Sequence, residues 1–119
     1  MGPEKKLWQE LKRKTPQIKW TRIENTSSLG TPDVLGYNSS GKFSTVELKV
    51  TRSNKVRFSP HQIAFHVRHP KNTYILVKSL VQSDLKLFEG SQIKQLVACG
   101  FKLEACSLGL ESIIRTLET

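Results

Sequence analysis

The sequence predicts one domain of α/β or α+β class. Three observations carry that expectation. The chain has 119 residues, a length that suits a single domain over 1–119. Runs of helical period at both ends and near the middle enclose runs of alternating, strand-like pattern. No internal repeat, low-complexity segment or linker divides it. Hydrophobic residues make up 37% of the chain, enough for a modest core.

Each element follows from local chemistry. Glu4 to Lys14 reads as a helix: Pro3 suits its entry, Pro16 stops it, and Leu7 and Leu11 form an apolar stripe with Trp8 beside it. Gln17 to Glu24 alternates imperfectly and reads as a strand. Ile18, Trp20, Arg22 and Glu24 lie on one face, and Lys19, Thr21 and Ile23 on the other. Asn25 to Gly30 is a loop of mostly small polar residues. Asp33 to Tyr37 is a short strand, Asn38-Ser39-Ser40-Gly41 a turn, and Lys42 to Val50 the returning strand. After the loop Thr51 to Phe58, Ser59 caps a helix from Pro60 to about Arg68. Thr73 to Ser79 is a strand around Tyr-Ile-Leu-Val, and Leu85 to Phe88 a short one. Ser91 caps a helix to about Cys99, ended by Gly100. Leu110 to Leu117 is a last helix with Leu110, Ile113, Ile114 and Leu117 on one face.

The pattern with most chemical content is Pro32-Asp33, then Glu47-Leu48-Lys49 fourteen positions after Asp33. Strand side chains alternate faces, so Glu47 and Lys49 share one side while Val46, Leu48 and Val50 share the other. The apolar trio anchors the strand, and two carboxylates and an ammonium can converge at its edge. Mg²⁺ typically takes one or two carboxylates plus water and substrate phosphate. Taken alone, Glu-x-Lys also fits a solvated strand face, and Pro-Asp a turn.

These residues resemble the signature of the PD-(D/E)XK nuclease superfamily. Gly30-Thr31-Pro32-Asp33-Val34 through Ser59-Pro60-His61-Gln62 is similar to its small stand-alone VRR-NUC and Holliday-junction-resolvase-like branches, with the likeness covering about residues 4 to 79. The resemblance implies a restriction-endonuclease-like core of helix, three-strand meander, helix and strand, with short C-terminal helices outside it. It implies a Mg²⁺-dependent DNA endonuclease in which Mn²⁺ substitutes. On that resemblance Asp33 and Glu47 would bind metal, with the backbone carbonyl of Leu48, while the Leu48 side chain points into the core. Lys49 positions or polarises the attacking water, and cleavage leaves a 5′-phosphate and a 3′-hydroxyl.

Several residues carry two readings. Glu10 borders the apolar stripe of the first helix; it is a surface Glu paired with Lys14 or, as the resemblance implies, a further metal ligand. Glu4 flanks the stripe on its other side as the reserve, and Glu24 is a weaker third. Gln62 follows Ser59 by three and makes a capping box, whereas the resemblance places a Gln of that helix beside the catalytic centre. His61, His66 and His69 lack the spacing of a helical zinc site and read as DNA-facing or surface residues. Ser27 or Ser28 matches a loop serine of some resolvases. Cys99 and Cys106 form neither a disulfide framework nor a zinc pair and read as reduced core residues.

Composition points to a nucleic-acid partner independently. The net charge is +9, and it is uneven: residues 1–78 carry +10 and residues 79–119 carry −1. Lys12, Arg13, Lys14 and Lys19 form one basic cluster, and Arg52, Lys55, Arg57 and Arg68 another, bracketing the proposed site as a phosphate track. No apolar run approaches the roughly 20 residues of a membrane span, and the N-terminus has no signal-peptide pattern. The expected setting is intracellular, cytoplasmic or nucleoid-associated. One site per chain and a modest core favour a homodimer, through the helix bearing Leu110, Ile113, Ile114 and Leu117 or through the strand Tyr74 to Val77. Branched DNA is the first substrate choice. A homing- or restriction-like endonuclease of the same fold is the nearer rival, and a non-catalytic DNA-binding module the one of different class.

Overall fold

Pro3 opens the first helix, α1 (Pro3–Lys14), at a position where its missing N–H costs nothing. Lys12, Arg13 and Lys14 fill the last turn, where the helix dipole favours cations. Leu7, Trp8 and Leu11 are its buried face. Thr15 then turns the chain: its hydroxyl donates to the Leu11 carbonyl (2.6 Å) and accepts the Trp20 indole N–H (2.9 Å). The structure is a computed structural model and describes residues 2–23 and 30–119.

Three strands follow, β1 (Lys19–Arg22), β2 (Val34–Tyr37) and β3 (Phe43–Thr51), paired antiparallel in sequence order. Asn38 fixes the β2–β3 turn by accepting the Ser40 and Lys42 N–H groups, each at 3.0 Å. Helix α2 (Pro60–Arg68) begins with both halves of the Ser59–Gln62 capping box formed. It crosses over to β4 (Thr73–Ser79), which lies parallel to β3. Next come β5 (Leu85–Glu89), antiparallel to β4, a 3-10 turn at Gly90–Gln92 and α3 (Ile93–Cys99). A second 3-10 turn, Gly100–Lys102, precedes β6 (Ser107–Leu108) and α4 (Leu110–Glu118).

The product is a compact α/β domain with a six-stranded mixed sheet in the order β1-β2-β3-β4-β5-β6. Alternation along the strands sends side chains to two cores. Val34, Val46, Leu48, Leu76 and Leu87 pack against α1 and α4 through Leu7, Trp8, Leu11, Ile113 and Leu117. Ile75, Val77 and Phe88 pack on the other face against Ile93, Leu96 and Phe101, with Ile63 of α2 at the margin. Among the described residues no helix is long and apolar enough to cross a membrane.

The structure departs from the sequence reading in several places. The first strand is shorter than Gln17–Glu24, and Glu24, Ser27 and Ser28 lie outside the described residues. Strand β6 has no counterpart in the sequence pattern, since two residues carry no periodicity. Cys106 is exposed and Cys99 half-buried, so neither is a core residue. Ile113 and Leu117 are fully committed to the core beneath α4, and β4 lies inside the sheet. Both surfaces expected to pair two copies are thereby largely used within one chain.

His66 is not a surface histidine. It is fully buried, neither ring nitrogen has a hydrogen-bond partner, and it packs where the 3-10 turn meets α2. A Cβ at Gly90 would come within 3.2 Å of its Nδ1 and collide with the Thr73 hydroxyl, so only glycine fits opposite it. Burial lowers the His66 pKa to about 4, helped by the positive charges of His69 and Lys49. His61 and His69 are exposed, as a surface role requires.

Candidate active site

The site forms where β2 parts from β3. Their pairing runs from Tyr37↔Phe43 to Val34↔Val46. Beyond it, the Asp33 carboxylate replaces the missing ladder bond and accepts the Leu48 N–H at 2.7 Å. A strand residue's N–H and C=O leave on the same edge, so the Leu48 carbonyl opens toward Asp33 too. The Leu48 side chain points the other way into the α1 core, as expected.

Glu47, the next residue back, is only 3% exposed. Its Oε2 accepts the Gln62 side-chain N–H at 3.2 Å, and its Oε1 is buried without a hydrogen-bond partner. Burial, then the charge of the neighbouring Asp33 carboxylate and a side-chain hydrogen bond with it, raise the Glu47 pKa from 4.5 to about 8; Lys49 opposes them and Glu4 adds to them. Lys49 lies on the same face of β3. Its ammonium donates to Gln62 Oε1 at 3.1 Å and sits 4.8 Å from the Phe58 ring centroid.

Gln62 closes the expected capping box and also touches Lys49 and Glu47. Its Oε1 accepts the Ser59 N–H (3.0 Å) to cap α2 and also accepts Lys49, while its Nε2 reaches Glu47. One amide holds the acid and the ammonium at a fixed spacing, and the helix cap holds the amide.

On α1 the structure brings Glu4 to this cluster and leaves Glu10 away from it. Glu4 shares one cleft of about 300 Å³ with Lys5, Trp8, Arg22 and Asp33, and another of about 380 Å³ with Lys49, Arg52, Lys55 and Arg57. Partial burial and the Asp33 charge hold its pKa above the ordinary value, against Lys49. Glu10 is six residues on, about 9 Å along the axis and about 120° around it, so one helix cannot present both. Glu10 is not among the groups acting on Glu47.

The basic clusters separate likewise. Arg52, Lys55 and Arg57 line the larger cleft with Lys49. Lys12, Arg13 and Lys14 are at the far end of α1, Lys19 is on β1, and Arg68 ends α2, all exposed and apart from the carboxylates. Arg22 and Lys5, which carry no special signal in the sequence, stand beside Asp33 and Glu4.

Asn54 anchors the basic loop. Its amide donates to the Cys99 carbonyl (2.8 Å), its Oδ1 accepts the Lys102 N–H (2.8 Å), and its carbonyl accepts the Phe101 N–H (2.6 Å). Gly100, at φ +76°, lies so close that any Cβ would strike the Asn54 carbonyl. The region after residue 80 thus fixes the loop carrying Arg52, Lys55 and Arg57.

Among the described residues, no group of three or more His, Cys, Asp or Glu side chains is arranged to hold a metal ion. What stands at the strand edge is a backbone carbonyl and a carboxylate pair, one of whose oxygens, Glu47 Oε1, is buried and unpartnered. That donor set fits a hard divalent cation completing its shell with water and phosphate. No protein-family model matches this chain, and the curated proteins hold no significant match to it.

Proposed function

We propose that this chain is a metal-dependent DNA endonuclease with a restriction-endonuclease-like core. The observation that carries this reading is Glu47. A carboxyl group buried beside a second carboxylate, with one oxygen unpartnered, is a costly feature that stability alone does not explain. A divalent cation held by Asp33 and Glu47 would relieve that cost.

In this reading Asp33, Glu47 and the Leu48 carbonyl are the protein's ligands, and Mg²⁺ or Mn²⁺ is the ion. When bound, the ion lowers the pKa of a coordinated water and neutralises the phosphate oxygens. Lys49 would orient the attacking water and balance charge developing on the phosphate, and Gln62 holds the Lys49 ammonium in place. Glu4 replaces Glu10 as the helical carboxylate facing the substrate. Arg52, Lys55 and Arg57 take the DNA backbone along the adjoining cleft, and Arg22 approaches from the other side of Asp33.

Branched DNA remains the preferred substrate, on the strength of the resolvase-like resemblance alone. Incubating the protein with linear duplex and with a four-way junction, with and without Mg²⁺ or Mn²⁺, tests both levels. Metal-dependent cuts leaving 5′-phosphates are expected, faster on the junction. Binding without cleavage under every metal condition would leave a DNA-binding module.

The basic loop has its own expected result. Changing Arg52, Lys55 and Arg57 together to Gln is expected to lower the slope of log K against log salt on duplex DNA. The decrease should be about 0.9 for each phosphate that the loop no longer neutralises. Asn54→Ala keeps all three charges and is expected to weaken binding with a smaller change of slope. An unchanged slope in the triple variant removes this loop from the DNA face.

A further inference from the structure

Among the described residues, Tyr37 and Phe43 are the two large aromatic side chains that the fold leaves exposed, at 39% and 58%. They stand opposite each other on β2 and β3, with ring centroids 4.6 Å apart and planes inclined by 50°. Closing the β2–β3 hairpin explains their mutual contact. It does not explain why the outer faces of both rings stay in water, nor the charges around them. Lys19 is the cross-strand partner of Tyr37 on β1, and Lys42 adjoins Phe43. Arg68 ends α2, and Lys71 precedes Asn72, whose carbonyl bonds to Thr45 two residues beyond Phe43. All four cations are exposed.

The position of the pair matters. Phe43, Thr45, Glu47 and Lys49 alternate onto one face of β3, and its pairing with β2 and β4 runs without a bulge. Phe43 is four residues from Glu47, about 13 Å along the strand. Stacked bases advance about 3.4 Å per step, so roughly four fit in that interval.

We propose that Tyr37 and Phe43 form a stacking platform for the unpaired bases of single-stranded DNA, with Lys19, Lys42, Arg68 and Lys71 holding its phosphates. This rests on the nuclease reading and deepens it: a strand emerging from a branch is held by its bases on the platform while its backbone passes the carboxylates. Aromatic faces suit this role because every base has a π-face to stack, whatever its identity. The cations make the same patch a poor match for an apolar protein partner.

The test uses the full chain in Ca²⁺ or EDTA, so that binding is read without cleavage. Fluorescence anisotropy compares a labelled 20-mer of thymidylate with a blunt 20-bp duplex. Tyr37→Ala with Phe43→Ala is expected to weaken single-strand binding about tenfold or more and duplex binding less than threefold. Phe43→Tyr keeps the π-face and is expected to bind normally; Phe43→Leu keeps apolar area alone and is expected to lose affinity. Equal affinity of the double alanine variant and the parent for the 20-mer overturns the platform. So does full binding by Phe43→Leu, or a dimer of the parent that becomes monomeric in the alanine variant on sedimentation, which would assign the patch to a second copy. Cleavage of duplex in Mg²⁺ is scored separately: failure of the parent there counts against the nuclease, not the platform.

Discussion

Asp33→Asn and Glu47→Gln are each expected to cut cleavage by about a thousandfold or more, while DNA binding stays within a few-fold of the parent. Removing one group that stabilises charge in a transition state costs about that much in other enzymes, and a lost metal ligand removes both the bound water and the neutralising ion. The substitutions separate chemistry from folding. An Asn carbonyl at position 33 still accepts the Leu48 N–H, so the strand edge keeps its shape. A Gln at 47 keeps the volume and relieves the repulsion from Asp33. Lys49→Met is expected to cost about a hundredfold or more. On α1 the expected order is set by position: Glu4→Gln loses activity, whereas Glu10→Gln is indistinguishable from the parent. Gln62→Ala loses activity and also about 1 kcal/mol of stability, because it breaks the cap along with the bridge. Metal-dependent cleavage by Asp33→Asn at the parent's rate would end the assignment.

Where the sequence states its local chemistry, its elements are legible. Helix α2 begins at Pro60 because Ser59, Pro60 and Gln62 together specify a capped start, and β4 spans Thr73–Ser79 because one apolar run fills it. The approach of Asp33 to Glu47–Lys49 follows from a short hairpin whose turn, Asn38 to Gly41, is marked by its residues. What the local pattern left open depended on contacts distant in sequence. Glu4 and Glu10 flank the same stripe of Leu7 and Leu11, and only the docking of α1 on the sheet decides which faces Asp33. The burial of His66 needs Gly90, twenty-four residues on. Asn54 reads as an ordinary loop residue until Gly100 and Phe101 are brought against it. Leu110, Ile113, Ile114 and Leu117 form a stripe that suits a dimer or a core equally, and the cover supplied by α1 and the sheet settles it for Ile113 and Leu117. The Tyr37–Phe43 pair carries no signal of exposure in sequence, since both sit at strand ends that read as half-buried.

The metal-free protein is expected to be most stable between about pH 4.5 and 6.5 and to weaken toward pH 8. Glu47 supplies the alkaline side. Its carboxyl group keeps its proton in the folded chain to about pH 8, whereas the unfolded chain releases it near 4.5. The folded state binds more protons across that interval, so stability falls as pH rises through it. His66 works in the opposite direction. Folded, it stays neutral down to about pH 4; unfolded, it takes up a proton near 6.5, so stability falls as pH drops between those values. The two slopes oppose each other from 6.5 to 4.5 and leave a plateau, and above 6.5 Glu47 acts alone. A drop in melting temperature on the order of 10 °C between pH 6 and 8.5 is the expected scale for a shift of this size in a small domain. Glu47→Gln is expected to abolish that drop and to melt higher than the parent at pH 8.5, a stability gain at the expense of the site's chemistry. Mg²⁺ binds the ionised pair and competes with its proton, so it is expected to raise the parent's melting point more at pH 8.5 than at pH 6, and to leave Glu47→Gln unmoved at both. Thermal unfolding at the two pH values, with and without Mg²⁺, reads all of these. A parent whose melting point is flat from pH 6 to 8.5 would overturn the raised Glu47 pKa, and a Glu47→Gln variant that responds to Mg²⁺ as the parent does would remove Glu47 from the metal site.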